Sequence, residues 1–241
     1  MVIKLEKSLS TAMNARIIGS GKQTMVLAHG FGGDQSVWDK LLPGLTQTYQ
    51  VVVFDWSFSG AIKEPNTLYD PAKYTSYDAF SDDLISLLQE LNLSSTVFVG
   101  HSMSAMIGCI ASIKNPNLFN KLILVGASPR YLNSEGYEGG FDLKDIELVF
   151  SSIESNYYEW ASFFPYVGVD KNDFESIKMF EESLKRMKPE IGLSYPKMLL
   201  MAMVLLDLYL LTSSQRIQFV GFRHCVIVVF VYKSLSIKSY P

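Results

Sequence analysis

Ser102 lies in Thr96-Val97-Phe98-Val99-Gly100-His101-Ser102-Met103-Ser104-Ala105. A β-branched and aromatic run breaks there at a glycine, two residues ahead of the serine. The helix-like run Met106 to Ile113 follows. Strand, sharp turn and helix in that order hold a serine hydroxyl exposed at the tip of the turn. The usual G-x-S-x-G spelling is written here as G-x-S-x-S. The chemistry available is nucleophilic attack on an acyl carbon. It needs a histidine to take the hydroxyl proton and a carboxylate to orient that histidine. An ordinary serine capping a helix is the alternative, and the glycine and small residues around Ser102 favour the nucleophile.

The partners are harder to find. An oxyanion hole in this arrangement uses the N–H after the serine and another from an earlier strand–helix loop. Met103 and Phe31 of His29-Gly30-Phe31-Gly32-Gly33 are in those positions. His101 adjoins Ser102 on a tight turn, where neighbouring side chains diverge, so it reads as structural. His29 reads as a brace for its loop, and Asp55 as a cap at a strand end. The triad carboxylate and histidine are expected after the serine, in that order. Asp207 and His224 have the order, but their settings oppose the role. Asp207 falls inside the apolar run Met198 to Leu211, which reads as a helix. His224 precedes the apolar run Val226 to Tyr232; a parallel strand there would place it on the sheet edge away from Ser102.

The elements that must position Ser102 are legible on either side. Arg16 to Ile18, Thr24 to Ala28, Val51 to Phe54 and Lys121 to Val125 read as strands. Ser36 to Leu45 reads as a helix capped by Asp34 or Ser36. Ser76 to Leu91 carries Phe80, Leu84, Leu87, Leu88 and Leu91 at helical spacing. Strands alternating with helices predict a parallel sheet covered on both faces, with ligands beyond the C-terminal strand ends. The loops holding Phe31, Ser102 and Ser128 all fall at those ends. From Asp142 to about Lys188 only helices are expected: Leu143 to Ser151, Ile153 to Phe163 and Phe174 to Met187. Their aromatic residues suit an apolar lid.

With 241 residues, 48% of them hydrophobic and 19% charged, the chain has the composition of one ordinary domain. A net charge of −3 and a pI near 5.7 argue against nucleic acid. The N-terminal segment has no apolar core of signal-peptide length, and Met198 to Leu211 is short for a span of about 20 residues. Neither membrane association nor secretion is expected. Cys109 and Cys225 form no C-x-x-C, and no metal or cofactor is expected.

Several segments resemble the strigolactone and karrikin receptor hydrolases of plants. They are His29-Gly-Phe-Gly-Gly-Asp-Gln-Ser-Val-Trp38, Gly100-His-Ser-Met-Ser-Ala-Met-Ile-Gly108, Ser128-Pro-Arg-Tyr131, Gly139-Gly-Phe141, and Asn156-Tyr157 with Trp160. Phe54-Asp-Trp-Ser-Phe-Ser-Gly-Ala61 and Met187-Lys-Pro-Glu190 are similar to the Dwarf-fourteen-like branch. The resemblance implies an α/β class, specifically an α/β-hydrolase fold with a helical lid. It implies Ser102 as catalytic serine and Phe31 with Met103 as oxyanion hole. His29, Tyr131, Phe141, Trp160 and Phe164 would form the substrate pocket. A butenolide-type lactone or ester ligand, an F-box-type protein partner and a place in cytoplasm and nucleus are implied as well.

The resemblance runs from about residue 10 to about 195. It gives a core over 1–197, with lid helices at about 142–188, and a divergent apolar tail over 198–241 without family match. Family members continue through two more strand–helix units that carry the triad aspartate and histidine. The expectation is therefore a parallel-sheet core truncated at its C-terminal strands, with an exposed sheet edge and impaired catalysis. A ligand-binding module without turnover, or a truncated splice or gene-model product, are the alternatives.

Overall fold

The computed structural model describes residues 8–63 and 69–194, together with the backbone of two strands near the C-terminus, Arg216–Phe222 and Cys225–Val231. Five strands make the core sheet: β1 (Arg16–Ile18), β2 (Gln23–Ala28), β3 (Tyr49–Val53), β4 (Thr96–His101) and β5 (Phe119–Val125). β2 lies parallel to β3 and to β4, and β4 parallel to β5; short β1 closes the outer side of β3 in antiparallel pairing. Strand alternation sorts side chains onto two faces. Val26, Ala28, Val52, Phe54 and Phe98 meet the large cluster around Phe80 and Met106, while Met25, Leu27, Val51, Val53, Val97 and Val99 meet Trp38.

Helices cover the sheet as the apolar spacing requires. After α1 (Leu9–Ala12) and α2 (Leu42–Leu45) comes α3 (Tyr77–Glu90). Ser76 caps α3 by accepting Asp78 N–H, and the helix buries Phe80, Leu84, Leu87 and Leu88. α4 (Met103–Lys114) is buried over all its turns from Met103 to Ser112, as an apolar helix in a large core must be. The expected helix over Ser36 to Leu45 is split into a 3-10 turn at Gln35–Trp38 and the short α2. Pro43 has no N–H to continue a helix and Gly44 favours its end. Asp34 is the cap: its side chain accepts Ser36 N–H.

The lid follows β5: α5 (Leu143–Ser155), α6 (Tyr157–Phe163), α7 (Pro165–Gly168) and α8 (Phe174–Arg186). Asn156 ends α5 and caps α6 by accepting Glu159 N–H, which places the break later than the sequence expectation. Among the described residues, no helix is long and apolar enough to cross a membrane.

The far side of β5 corrects one expectation. Its edge is covered: β7 (Cys225–Val231) pairs antiparallel with β5, and β6 (Arg216–Phe222) pairs antiparallel with β7. The sheet order is β1-β3-β2-β4-β5-β7-β6, so a hairpin extends a core that was expected to end in an open edge. Strand direction also matters. Ile227 pairs with Val125 and Val231 with Lys121, so β7 begins at the C-terminal end of β5, the same edge as Ser102. The placement of His224 on the opposite edge assumed a parallel strand, and that premise fails. His224 and Asp207 themselves lie outside the described residues.

Candidate active site

β4 runs straight into the serine. Ser102 takes φ +56° and ψ −122°, a backbone conformation that costs a non-glycine residue about 1–3 kcal/mol. The turn is held by Ser102 N–H donating to the Val125 carbonyl at 2.8 Å, and by Ala105 N–H donating back to the Ser102 carbonyl at 3.0 Å. Gly100 is required here, since a Cβ on it would stand 2.6 Å from the backbone of Ser104 and Ala105. Met103 opens α4, at the helix end where backbone N–H groups point outward.

The loop facing the serine is fixed from beneath. His29 is fully buried. Its Nε2 accepts Trp56 N–H at 3.2 Å, so the proton sits on Nδ1, which donates to the Gly30 carbonyl at 2.8 Å. Burial above all pushes the His29 pKa down, against the pull of Asp55 at 4.0 Å, so the ring stays neutral. Ser104 adds a bridge that the sequence reading missed. Its hydroxyl donates to the His29 carbonyl and accepts Trp56 Nε1–H at 2.8 Å, tying the start of α4 to the end of β2. The departure from G-x-S-x-G at this position was the available signal. Asp55 does more than cap a turn: it accepts Gln35 N–H at 2.8 Å and the amide groups of Gln35 and Asn14, each at 2.9 Å.

Ser102 opens into a cavity of about 980 Å³. Phe31, Tyr131, Phe141, Trp160 and Phe164 line it, together with His101 and with Met179, Phe180 and Ser183 from α8. An aromatic chain crosses it: Trp160 stacks on Phe164 with ring centres 4.8 Å apart, Phe164 meets Phe180 at 6.0 Å, and Phe31 meets Trp160 at 6.5 Å. His29 is not part of the lining; it lies under the loop, and its assignment to the substrate pocket is corrected accordingly. His101, read as structural, is a lining residue instead. Desolvation, and then the neighbouring His29, lower its pKa.

Among the described residues, Ser102 Oγ has one hydrogen-bond partner, the Tyr131 hydroxyl at 3.3 Å. Burial raises the Tyr131 pKa, so at neutral pH it is a neutral hydroxyl and takes no proton from the serine. Also among the described residues, no group of three or more His, Cys, Asp or Glu side chains is arranged to hold a metal ion.

Residues 23–175 match the family of the alpha/beta hydrolase fold. The chain is 43% identical over 188 residues to strigolactone esterase D14 of Arabidopsis thaliana, covering 78% of this chain and 70% of that protein. It is 45% identical over 189 residues to the karrikin insensitive 2 receptor CA of Petunia hybrida, covering 78% and 69%. Among solved structures, a hydrolase from Oleispira antarctica superposes with a TM-score of 0.77 at 27% identity, over 83% of this chain and 73% of that one. An esterase from Exiguobacterium antarcticum shares the fold, with a TM-score of 0.71 at 18% identity over 80% and 71%.

Proposed function

Because the chain belongs to the α/β hydrolases, among the relatives of strigolactone esterases and karrikin receptors, we propose that it binds a small apolar butenolide-type lactone or ester and turns it over slowly. The observation that carries this reading is the pairing of a formed serine elbow with an apolar cavity, while among the described residues the serine hydroxyl meets only Tyr131. Phe31, Tyr131, Phe141, Trp160 and Phe164 hold the ligand. The N–H groups of Phe31 and Met103 receive the carbonyl oxygen, and Ser102 is the nucleophile.

Attack by Ser102 forms the acyl–oxygen bond and sends the carbonyl electron pair to the oxyanion. Collapse of that oxyanion breaks the ester or lactone C–O bond. The proton given up by the serine passes through water to the departing oxygen, and water then hydrolyses the acyl-serine. A serine hydroxyl without an adjacent base is a poor nucleophile at neutral pH. Oxyanion stabilisation and binding alone sustain about 10³–10⁴-fold acceleration over water. The chain thus acts as a ligand sensor more than as a turnover enzyme. The resemblance to receptors supports an F-box-type protein partner meeting the lid, in cytoplasm and nucleus.

The test combines tryptophan-fluorescence titration with a synthetic butenolide and mass spectrometry of the opened product. Saturable binding with product forming over hours, lost in Ser102→Ala, is expected. Rapid turnover sensitive to Ser102→Ala, or no saturable binding by a cooperatively melting protein, would overturn the reading.

A further inference from the structure

Asp34 divides its carboxylate between two parts of the site. Oδ1 accepts Ser36 N–H at 2.9 Å and the Ser36 hydroxyl, which starts the 3-10 turn immediately after the oxyanion loop. Oδ2 faces the lid, accepting Arg186 Nη2 at 2.7 Å and Ser183 Oγ at 3.3 Å. The residue is buried, at 6% exposure. The Arg186 side chain is half-exposed while the Asp34 carboxylate is buried. A charge-assisted contact to a buried carboxylate is stronger than one between two solvated groups, and removing the arginine leaves that carboxylate short of a donor.

The surroundings leave no slack at this joint. A Cβ on Gly32, at φ +72°, would stand 2.4 Å from Leu184 Cδ2. A Cβ on Gly60 would stand 2.6 Å from the Arg186 carbonyl carbon. The last turn of α8 therefore presses directly on the oxyanion loop and on the loop after β3. Tyr157 adds a bond from α6 to the Leu184 carbonyl at 2.7 Å. The first turn of α8 is held by buried Ile177 and its Asp173 cap, with no buried carboxylate among the described residues joining it to the oxyanion loop. There Lys40 meets Glu175 at 3.1 Å with both side chains largely exposed, and such solvated pairs hold little.

We propose that Asp34 is a positioning residue that joins the oxyanion loop and the lid helix into one unit. The cavity wall formed by Phe180 and Ser183 then cannot swing away without disturbing the loop that carries Phe31. The proposal rests on this geometry and is independent of whether Ser102 turns over its ligand.

Hydrogen exchange read by mass spectrometry on the full chain tests it. Arg186→Gln is expected to raise exchange about tenfold in residues 31–36 as well as in the last turn of α8. Asp34→Asn keeps one oxygen for Ser36 and turns an amide toward Arg186; it is expected to raise exchange in α8. Arg186→Lys restores most of the protection, and Lys40→Ala leaves both segments unchanged. Ser183→Ala removes only the longer contact, so it guards against global unfolding of the stronger variants; a smaller rise in both segments is expected. Exchange that rises only in the substituted segment, in either the Arg186 or the Ser183 variant, would overturn the proposal. So would Arg186→Lys behaving like Arg186→Gln.

Discussion

The two sides of Ser102 are built on different terms. Toward β2, the polar groups beneath the turn are tied into the core: His29, Trp56 and Ser104 bond one another, and Asp55 collects the side chains of Gln35 and Asn14. Toward β5, the chain leaves the sheet through a loop that closes mainly on itself. Asn133 N–H donates to the Phe141 carbonyl and Phe141 N–H to the Tyr131 carbonyl, at 2.8 and 3.1 Å, and Asn133 Oδ1 accepts Gly139 and Gly140 N–H at 2.7 and 2.9 Å. Beyond β5 an antiparallel hairpin takes over from the parallel strands. A parallel strand–helix unit returns a loop to the C-terminal edge after each strand, which is where such folds collect catalytic groups. A hairpin satisfies the edge of β5, and its turn after Phe222 falls at the C-terminal edge of β5, the edge of Ser102. The side that presents the serine is thus complete, while the side that would ordinarily supply its base is built differently.

This contrast can be broken at its glycines. Gly100→Ala drives a methyl into backbone that cannot yield and is expected to cost about 3 kcal/mol. Gly136→Ala, in the loop after β5, meets nothing within 4 Å and pays only for its φ of +73°, about 1–2 kcal/mol. Equal losses in urea denaturation would mean that the two sides are equally rigid. Ser104→Ala sharpens the same point: it removes one acceptor of Trp56 Nε1–H and one donor to the His29 carbonyl, for an expected loss of about 1–3 kcal/mol.

A gentler test is pH. Burial holds the folded His29 pKa below its ordinary value of 6.5, and His101 is shifted the same way. As pH falls below 6.5, the unfolded chain gains protons that the folded chain refuses. Stability should therefore be fully present above that value and decline as pH falls toward the folded pKa values. The limiting slope is about 1.4 kcal/mol per pH unit for each group. A urea midpoint that stays flat through this range would mean that both histidines take up protons in the folded state as readily as in the unfolded one, against the acceptor bond of His29 from Trp56.

Much of this was legible in the residues themselves. Gly100, Ser102 and the small residues after them spell a turn whose geometry is local, and α3 follows from apolar spacing with a serine cap. The lining aromatics Tyr131, Phe141, Trp160 and Phe164 were named from the family resemblance of the segments that carry them, two of them in the loop after β5 and not on a helix. Long-range neighbours were not legible. Nothing near Asp34 in sequence announces Arg186, and nothing near His29 announces Trp56 as its donor. The direction of β7 was equally hidden, since an apolar run pairs in either sense and only its partner's register decides.

We propose that Ser102 is presented but not activated. Intact mass after exposure to a serine-directed fluorophosphonate tests it most directly, with Ser102→Ala as control. A cooperatively melting protein that gains at most a slow trace of one adduct, absent in Ser102→Ala, is the predicted result. Rapid, complete labelling lost in Ser102→Ala would contradict the account and show that a base reaches the serine; His224→Ala would then be the first variant to ask which one.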